Sequence, residues 1–166
     1  MDVSRLSQKY TVRCLAQSDV PLIYTLCRKN ELYYKYCPPF VTHESIIHDM
    51  NALPPGKTLQ DKYYVGFFEG DELIAVLDLI AGYPNDSTAF IGFFMMSSEL
   101  SMKGVGSEII SELCKSLKHM GYCGIRLGWV AGNPQSEHFW HKNGFKEMGV
   151  TYDTDGYTVV VAEREL

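Results

Sequence analysis

The sequence lacks a long apolar run, a cluster of basic residues and a closely spaced pair of cysteines. Its longest strongly apolar run, residues 90–96, is far shorter than the roughly 20 residues that span a bilayer, and residues 1–9 have no apolar segment of the signal-peptide type. The chain carries 15 basic and 20 acidic residues, which gives a net charge of −5. Because a negative surface repels phosphate backbones, we expect neither a membrane nor nucleic acid as a partner.

The 5 cysteines are odd in number and form no C-x-x-C pair, so a disulfide framework is not expected. Cysteine use of this kind is typical of a reducing compartment, which predicts the cytoplasm. With 166 residues, the chain is about one domain long and can bury enough surface to fold without disulfides or metal. We assign residues 1–9 to an N-terminal extension and residues 10–166 to a single domain.

Hydrophobic patterning predicts a mixed α/β domain with the element order β-α-α-β-β-β-α-β-α-β-β. The third and fourth strands are apolar on both faces, so helices should cover both sides of the sheet. The first two helices start at the N-cap candidates Ser18 and Thr42, the second with Ser45 where a capping box has Glu or Gln. Strands are predicted at residues 10–15, 63–68, 73–80, 89–96, 125–130, 145–151 and 157–163, and helices at 18–30, from 42 to the prolines at 54–55, at 104–120 and at 134–142.

The glycine-rich turn between the fourth strand and the third helix is the most informative segment. Gly104 and Gly106 lie in the first helical turn, where the missing side chains leave backbone N–H groups open and the helix dipole adds roughly half a positive charge. With Lys103 beside them, these groups predict an anion site suited to a phosphate or pyrophosphate. The alternative is that both glycines only allow the helix to pack closely on the sheet.

Two other phosphate-binding motifs do not fit. A Walker A loop would need glycine at Asn51 ahead of Gly56-Lys57-Thr58, and it needs a strand before the loop and a helix after it. Here a helix precedes the segment and a strand follows. A Rossmann fingerprint would need a third glycine at Ile109.

Two motifs in the sequence resemble those of the GNAT superfamily of N-acetyltransferases. Phe94-x-Met96 followed by Ser101-x-x-Gly104-x-Gly106 is similar to the family's acyl-CoA pattern, Arg/Gln-x-x-Gly-x-Gly/Ala. A second stretch resembles the family's Asn-x-x-Ala/Ser-x-x-Phe-Tyr-x-Lys-x-Gly-Phe and reads Asn133-Pro134-x-Ser136-x-x-Phe139-Trp140-x-Lys142-x-Gly144-Phe145. The element order also fits the family from residue 10 to the C-terminus, so the resemblance covers nearly the whole chain.

The resemblance implies a GNAT fold, which is a mixed, mostly antiparallel central sheet of about six or seven strands, splayed at an acyl-CoA site, with helices on both faces. The pantetheine arm would pair with the strand before the glycine-rich turn, and the pyrophosphate would lie on the amides of that turn. The cofactor-binding residues implied in this way are Phe94, Met95, Met96, Ser101, Met102, Lys103, Gly104, Val105, Gly106, Ser107, Asn133, Ser136 and Trp140.

The implied activity is transfer of an acetyl group from acetyl-CoA to a primary amine of a small molecule or peptide. The amine would attack directly in a ternary complex, the backbone N–H of Met96 would stabilise the tetrahedral oxyanion, and no metal would take part. The alternative is a non-catalytic module of the same fold that binds an acyl-CoA as a sensor. The sequence leaves open which amine is accepted and whether the chain forms a homodimer.

Two positions depart from the family pattern. Ser101 replaces the Arg or Gln that usually helps to bind the phosphates. Trp140 replaces the Tyr often cast as the general acid, and an indole N–H donates a hydrogen bond without serving as such an acid. A thiol of pKa about 8.5 is a fair leaving group without full protonation. His141 and Tyr152 are the remaining candidates for a general acid.

Asp78 is our candidate for the general base. It is the one charged residue within the third strand's apolar run, and strand alternation places it on the face of Val76 and Ile80. Two alternatives stay open: a structural carboxylate bonded to a nearby turn, and proton loss to bulk water through a chain of waters, which needs no base.

An aromatic group between the first two helices is a candidate acceptor site. In the family that it resembles, this region walls the acceptor, and Tyr33, Tyr34 and Tyr36 could surround an ammonium by cation–π contact. The alternative is that they pack the helices onto the sheet. His138 and His141 share a helix face, but with no third ligand at a useful spacing we predict no metal site.

Overall fold

The computed structural model describes residues 1–154 and 156–166, which form seven strands and five α-helices. None of these helices is long and apolar enough to cross a bilayer. The strands are β1 (Thr11–Cys14), β2 (Lys62–Glu69), β3 (Glu72–Ile80), β4 (Thr88–Met96), β5 (Gly124–Val130), β6 (Lys146–Asp153) and β7 (Thr158–Glu165). The helices are α1 (Val20–Cys27), α2 (Glu31–Tyr36), α3 (His43–Asn51), α4 (Val105–His119) and α5 (Pro134–Lys142).

All seven strands form one sheet in the order β1-β2-β3-β4-β5-β7-β6. Every neighbouring pair is antiparallel except β4 and β5, which run parallel. The sheet separates two apolar cores. One core packs α4 and α5 against one face of the sheet, and the other packs α1 and α3 against the opposite face. The predicted mixed α/β domain with a mostly antiparallel sheet and helices on both faces is therefore confirmed.

The helix starts differ in how well the sequence predicted them. The Thr42 hydroxyl accepts from Ser45 N (3.1 Å) and the Ser45 hydroxyl accepts from Thr42 N (3.0 Å), so serine completes the capping box of α3. The N-cap prediction at Ser18 is wrong. A 3₁₀ turn, Gln17–Asp19, precedes α1, and the Asp19 carboxylate there accepts from Ala16 N at 2.8 Å.

Two further segments differ from the sequence-based expectation. The tyrosine-rich stretch expected between helices forms the short helix α2, whose six residues are too few to show a helical period. Residues 1–9, assigned to an extension, pack on the domain. Leu6 is fully buried in the α4-side core, and the N-terminal ammonium donates to the Tyr63 hydroxyl at 2.7 Å.

Candidate active site

Strands β4 and β5 part midway along their length. They pair only from Thr88 opposite Gly124 to Ile91 opposite Leu127. Beyond that point β4 continues to Met96 and β5 to Val130. We call the opening between these two segments, residues 92–96 and 128–130, the strand gap, because they do not pair with each other. It opens at the carboxyl ends of two parallel strands in the middle of the sheet, where α/β proteins commonly bind ligands.

A β-bulge at Gly92 lies where the gap begins. In the pairing of β3 with β4, Asp78 lies opposite Phe93 and Leu79 lies opposite Ile91, so Gly92 is the extra residue. A Cβ at this glycine would lie 2.5 Å from the Asp78 Oδ2 atom. Only glycine therefore lets the carboxylate approach the bulge this closely, and the bulge bends β4 where it leaves β5.

The backbone of β4 presents polar groups to the gap. Ser97 N donates to Ile74 O on β3 at 2.8 Å. Because successive residues of a strand direct their N–H and C=O groups to alternate sides, those of Met96 face away from β3. Asn30 Nδ2, 3.2 Å from Met96 O, donates to that carbonyl and so ties the start of α2 to the gap. The predicted oxyanion donor, Met96 N–H, is on the gap side, and Asn30 is a contact that the sequence did not reveal.

The turn that leads into α4 and the first three residues of that helix together span residues 101–107, and we call this segment the glycine turn. Gly104 has φ +81° at the N-cap position, no side chain caps the helix there, and a Cβ on it would meet nothing within 4 Å. The first amides of a helix lack intrahelical acceptors, so the turn offers open N–H groups to an anion. Ser101, Met102 and Lys103 are solvent-exposed beside it.

Gly106 has a different role from Gly104. A Cβ there would lie 2.7 Å from Met96 Sδ and 3.1 Å from a ring carbon of Phe139. The packing interpretation therefore holds for Gly106, and the open-turn interpretation fits Gly104. Val105 and Ser107, which follow these two glycines, are half-buried.

The second motif forms the start of α5. Asn133 is buried, and its Oδ1 accepts from Gln135 N and Ser136 N, both at 3.2 Å, so its side chain caps the helix. Ser136 is half-buried in the first turn. Asn143, which the sequence analysis missed, donates from Nδ2 to Ser107 Oγ at 3.2 Å and so joins the end of α5 to the glycine turn.

Trp140 belongs to the α4-side core, and it packs beside Phe94, which lies on the β4 edge of the strand gap. Its ring lies 6.0 Å from that of Phe94, 4.9 Å from that of Phe139 and 5.1 Å from that of Phe145. Phe94 and Phe139 stack with centroids 5.9 Å apart. An apolar surface of this kind suits an aliphatic thioester chain, and it leaves the tryptophan without an acid–base role.

A cavity of about 490 Å³ lies on the α1–α3 face of the sheet, beside the bulge. We call it the tyrosine cavity. The residues that line it include Asp49, Asp78, Gly92 and Phe93. Four tyrosines also line it: Tyr33, Tyr34, Tyr64 and Tyr157.

Asp78 lies at the inner wall of this cavity. Its Oδ2 accepts from Lys62 Nζ at 2.7 Å, and its Oδ1 is buried without a hydrogen-bond partner among the described residues. Burial raises the pKa of the Asp78 carboxyl, and the Lys62 ammonium acts in the opposite direction. Asp78 lines the cavity, and a buried carboxylate with one unpartnered oxygen is a candidate proton acceptor.

The tyrosines are partly those that the sequence predicted. Tyr33 packs edge-on against Tyr34, with centroids 5.0 Å apart, and against Phe93 at 5.9 Å. Tyr36 is not among the cavity-lining residues; its ring lies 5.8 Å from Lys35 Nζ. Burial raises the pKa of Tyr33 and of Tyr34, so both phenols stay neutral and can donate hydrogen bonds.

Tyr64 and Tyr157 were missed. Tyr64 lies directly opposite Asp78 in the pairing of β2 with β3. The hairpin at residues 69–72 alone would have placed Leu77 there, because a bulge in the pairing of these two strands shifts the register by one residue. Tyr157 follows β6 and reaches the cavity from the far edge of the sheet, which no local pattern signals. Burial also raises the pKa of Tyr64, again favouring a neutral phenol.

The two candidates for a general acid do not line this cavity. The Tyr152 side chain is exposed on β6. His141 Nε2 lies 3.4 Å from Glu147 Oε1, and both side chains are exposed. Glu137 adds a third potential ligand atom within 4.8 Å of those two, a neighbourhood that helix spacing alone did not predict.

The sequence model of the acetyltransferase (GNAT) family matches residues 29–145. The chain belongs to the GNAT acetyltransferase family. The matched residues include the strand gap, the glycine turn and most of the tyrosine cavity. GNAT proteins use acetyl-CoA, and membership makes this chain an acetyltransferase enzyme. Among curated proteins, none matches the sequence significantly.

Solved GNAT structures share the fold over nearly the whole chain. An acetyltransferase from Thermus thermophilus is 19% identical with a TM-score of 0.74, covering 95% of this chain and 97% of its own. PaiA N-acetyltransferase from Thermoplasma acidophilum in complex with coenzyme A is 23% identical with a TM-score of 0.67, covering 95% and 99%. Spermidine N-acetyltransferase from Vibrio cholerae is 19% identical with a TM-score of 0.65, covering 96% and 95%.

Proposed function

We propose that this GNAT protein transfers an acetyl group from acetyl-CoA to a primary amine of a small molecule or peptide by direct attack in a ternary complex. The observation that carries the proposal is the position of the Asp78 carboxylate. It lies against the bulge at Gly92, where the strand gap begins, and its free oxygen is buried beside the tyrosine cavity. This position supports a proton acceptor between a gap for the thioester and a cavity for the amine.

In this proposal CoA binds on the α4 side of the sheet. The pyrophosphate lies on the amides of residues 102–107, with the open turn at Gly104 and the Lys103 ammonium favouring negative charge. The pantetheine arm follows Phe94, Met95 and Met96 along β4. The aromatic wall around Trp140 and the start of α5 at Asn133 and Ser136 flank it. The coenzyme A complex of the Thermoplasma acidophilum PaiA protein supports acetyl-CoA as the donor.

The reaction begins when an ammonium group in the tyrosine cavity gives its proton to Asp78. The free amine nitrogen then forms a bond to the acetyl carbon, and the thioester C–S bond breaks. The N–H of Met96 stabilises the negative oxygen of the tetrahedral intermediate. The sulfur leaves as a thiolate, which is reasonable at a thiol pKa of about 8.5. The nitrogen gives up its second proton to water or to the departing thiolate, so the products are a neutral amide and CoA. No acyl group becomes attached to the protein.

Lys62 is a positioning residue for Asp78. Its ammonium is buried, donating to Ala52 O at 2.9 Å and to Asp78 Oδ2 at 2.7 Å. It therefore fixes the carboxylate and leaves Oδ1 to accept the amine proton. Since neither His141 nor Tyr152 lines the cavity, we assign no general acid. We place the protein in the cytoplasm, supported by five free cysteines.

Two measurements test the proposal. CoA or acetyl-CoA at 100 times its Kd should stabilise the fold by about 2.7 kcal/mol, and ATP or NAD should stabilise it much less. Release of the CoA thiol should then depend on adding a primary amine, and mass spectrometry should detect an acetylated product. CoA binding without any amine-dependent thiol release would overturn the proposed transfer and favour the acyl-CoA sensor.

A further inference from the structure

Asp49 is a cavity residue that the proposed reaction does not use. It lies in the last turn of α3, where the negative end of the helix dipole disfavours a carboxylate. Within the described residues its side chain has no hydrogen-bond or salt-bridge partner, and the charges that act on it are those of His48 and Lys62. Asp49 lines the cavity while its side chain stays solvent-exposed, and the desolvation that the cavity wall imposes raises its carboxyl pKa. Helix stability therefore does not account for this acidic group.

The tyrosine cavity is acidic as a whole. Its charged lining residues are Asp49 and Asp78, and no Lys, Arg or His is among the lining residues that the structure describes. Lys62 lies behind Asp78 and is paired with it, so it offsets one of the two charges. The remaining negative charge therefore belongs to the cavity lining, and Asp78 Oδ1 is buried without a hydrogen-bond partner among the described residues. A ligand with a carboxylate would meet repulsion here, whereas a ligand with positive charge would be attracted.

Asp49 shares the wall of the tyrosine cavity with aromatic residues. Tyr34 and Tyr64 line the same cavity as Asp49, and the negative charge of Asp49 contributes to the raised pKa of both phenols. The Tyr34 ring also contacts that of Phe40, with centroids 4.9 Å apart. A carboxylate next to tyrosine rings is a setting in which an ammonium gains both ionic and cation–π attraction. Asp49 and Asp78 also repel each other, so two separate positive groups would relieve that repulsion.

From these observations we propose that the acceptor is a small amine with a second positively charged group and no carboxylate, of the alkyl diamine type. One ammonium lies at Asp78 and is acetylated, and the other stays charged beside Asp49, Tyr34 and Tyr64. This inference rests on the proposed acetyl transfer, because it assigns the acceptor of that same cavity. It favours a diamine over an amino acid, whose carboxylate the cavity would repel.

The test is a matched series of acceptors. Alkyl diamines of three to six carbons are compared with monoamines and with ω-amino acids of the same length, in which a methyl group or a carboxylate replaces the second ammonium. We expect kcat/KM for the best diamine to exceed that of its monoamine at least about tenfold, as for hydrogen bonds to charged groups. The ω-amino acid should be the poorest of the three.

Charge variants of α3 test whether Asp49 is the group that binds the second ammonium. Asp49→Asn should lower the diamine-to-monoamine ratio of kcat/KM about tenfold, and Asp49→Lys should shift the preference toward the ω-amino acid. Glu44→Gln removes the same charge from the first turn of the same helix and should leave the ratio unchanged. A ratio near unity in the unaltered protein, or one insensitive to Asp49→Asn, would overturn the inference while the transfer itself stands.

Binding separates failure of the inference from failure of the transfer. If no amine in the series is acetylated, the proposed function fails. Calorimetry with the CoA-bound protein then decides the inference alone. A diamine that binds more tightly than its monoamine, and loses that advantage in Asp49→Asn, supports the charged pair of subsites. Equal or absent binding of the two amines overturns it.

Discussion

The two faces of the sheet meet at the strand gap, and they differ in the groups that they offer to a ligand. On the α4 side, the glycine turn and the end of β4 present backbone groups, with side chains kept away at Gly104. On the α1–α3 side, the tyrosine cavity is walled by side chains from α1, α2, α3, three strands and the segment after β6. In the proposed function, the first side binds a donor common to the family and the second binds the acceptor.

This difference explains how one fold can serve many acceptors. Backbone amides can bind phosphate whatever the neighbouring side chains are, so in the proposed function the donor side would tolerate changes such as Ser101 in place of Arg or Gln. The cavity side depends on the identity of each residue, and its chemistry changes with single substitutions. Fold similarity at 19–23% identity therefore says little about the acceptor.

The largest effect is expected for Gly104→Glu on the backbone-built side. A carboxylate in the open turn would occupy the anion position with like charge, so CoA binding should be lost. The thermal stabilisation of about 2.7 kcal/mol at 100 times Kd should vanish, and acetyl transfer with it.

Gly56→Glu is the matched control for that change. Gly56 has φ +78° against +81° for Gly104, and a Cβ would meet nothing within 4 Å at either position. Both variants bear the same backbone strain, of order 1–3 kcal/mol, but only one alters the glycine turn. Equal CoA binding by the two variants would remove the phosphate assignment.

Asp78→Asn tests the cavity side at its junction with the gap. The amide keeps the shape of the side chain but cannot take a proton, so kcat should fall by about 10²–10⁴-fold. The KM for acetyl-CoA should change little. Asp71→Asn, in the exposed β2–β3 turn, is the control for loss of one negative charge and should keep full activity.

The pH profile gives that variant a second readout. Burial raises the pKa of Asp78, and the group acts as a base only when it is ionised. The kcat of the unaltered protein should therefore decline on acidification at a higher pH than an ordinary aspartate, of pKa about 3.9, would impose. Asp78→Asn should lack this acid-side decline. A variant with unchanged kcat and the same profile would make Asp78 a structural carboxylate.

The two sides of the sheet also differ in how much of each could be predicted from the sequence. The glycine turn is a local motif and was identified from the sequence itself. The parting of β4 and β5, and a sheet of about six or seven strands, were implied by the resemblance to the GNAT family. Asp78 was found because a lone charge in an apolar strand is conspicuous. Asp49, Tyr64 and Tyr157 escaped because strand register and the packing of distant elements bring them together.

Local signals also failed where a competing interaction was stronger. Ser18 has the composition of an N-cap, but Asp19 instead bonds to Ala16 N and to Arg13, and a 3₁₀ turn forms before α1. Helix α2 was missed because six residues show no period. Its start is tied to the sheet by Asn30, a contact that only the folded chain reveals.

Gly92→Ala should lower both stability and kcat to an intermediate degree, because Gly92 lies where the strand gap meets the tyrosine cavity. The new Cβ would clash with Asp78 Oδ2 at 2.5 Å, and overpacking of this kind costs about 1–3 kcal/mol in unfolding free energy. Because the carboxylate must move, kcat should fall as well.

Gly66→Ala is the control for Gly92→Ala. Its Cβ would lie 2.7 Å from Leu73 Cδ1, so it should lose stability without the matching loss of kcat. Equal kcat in both variants would contradict the bulge's role in placing Asp78.

The smallest effect is expected for Thr42→Ala, which removes the N-cap of α3. Loss of such a cap costs about 1 kcal/mol, measurable by denaturant unfolding. Since α3 carries Asp49 and Ser45 on the cavity wall, the amine KM should rise modestly while the KM for acetyl-CoA stays unchanged. Asp2→Ala, which removes the cap of the 3₁₀ turn at Val3–Leu6, should alter neither constant. An equal rise in both KM values would show that α3 also supports the acetyl-CoA site. It would contradict the conclusion that the two sides of the sheet bind their substrates independently.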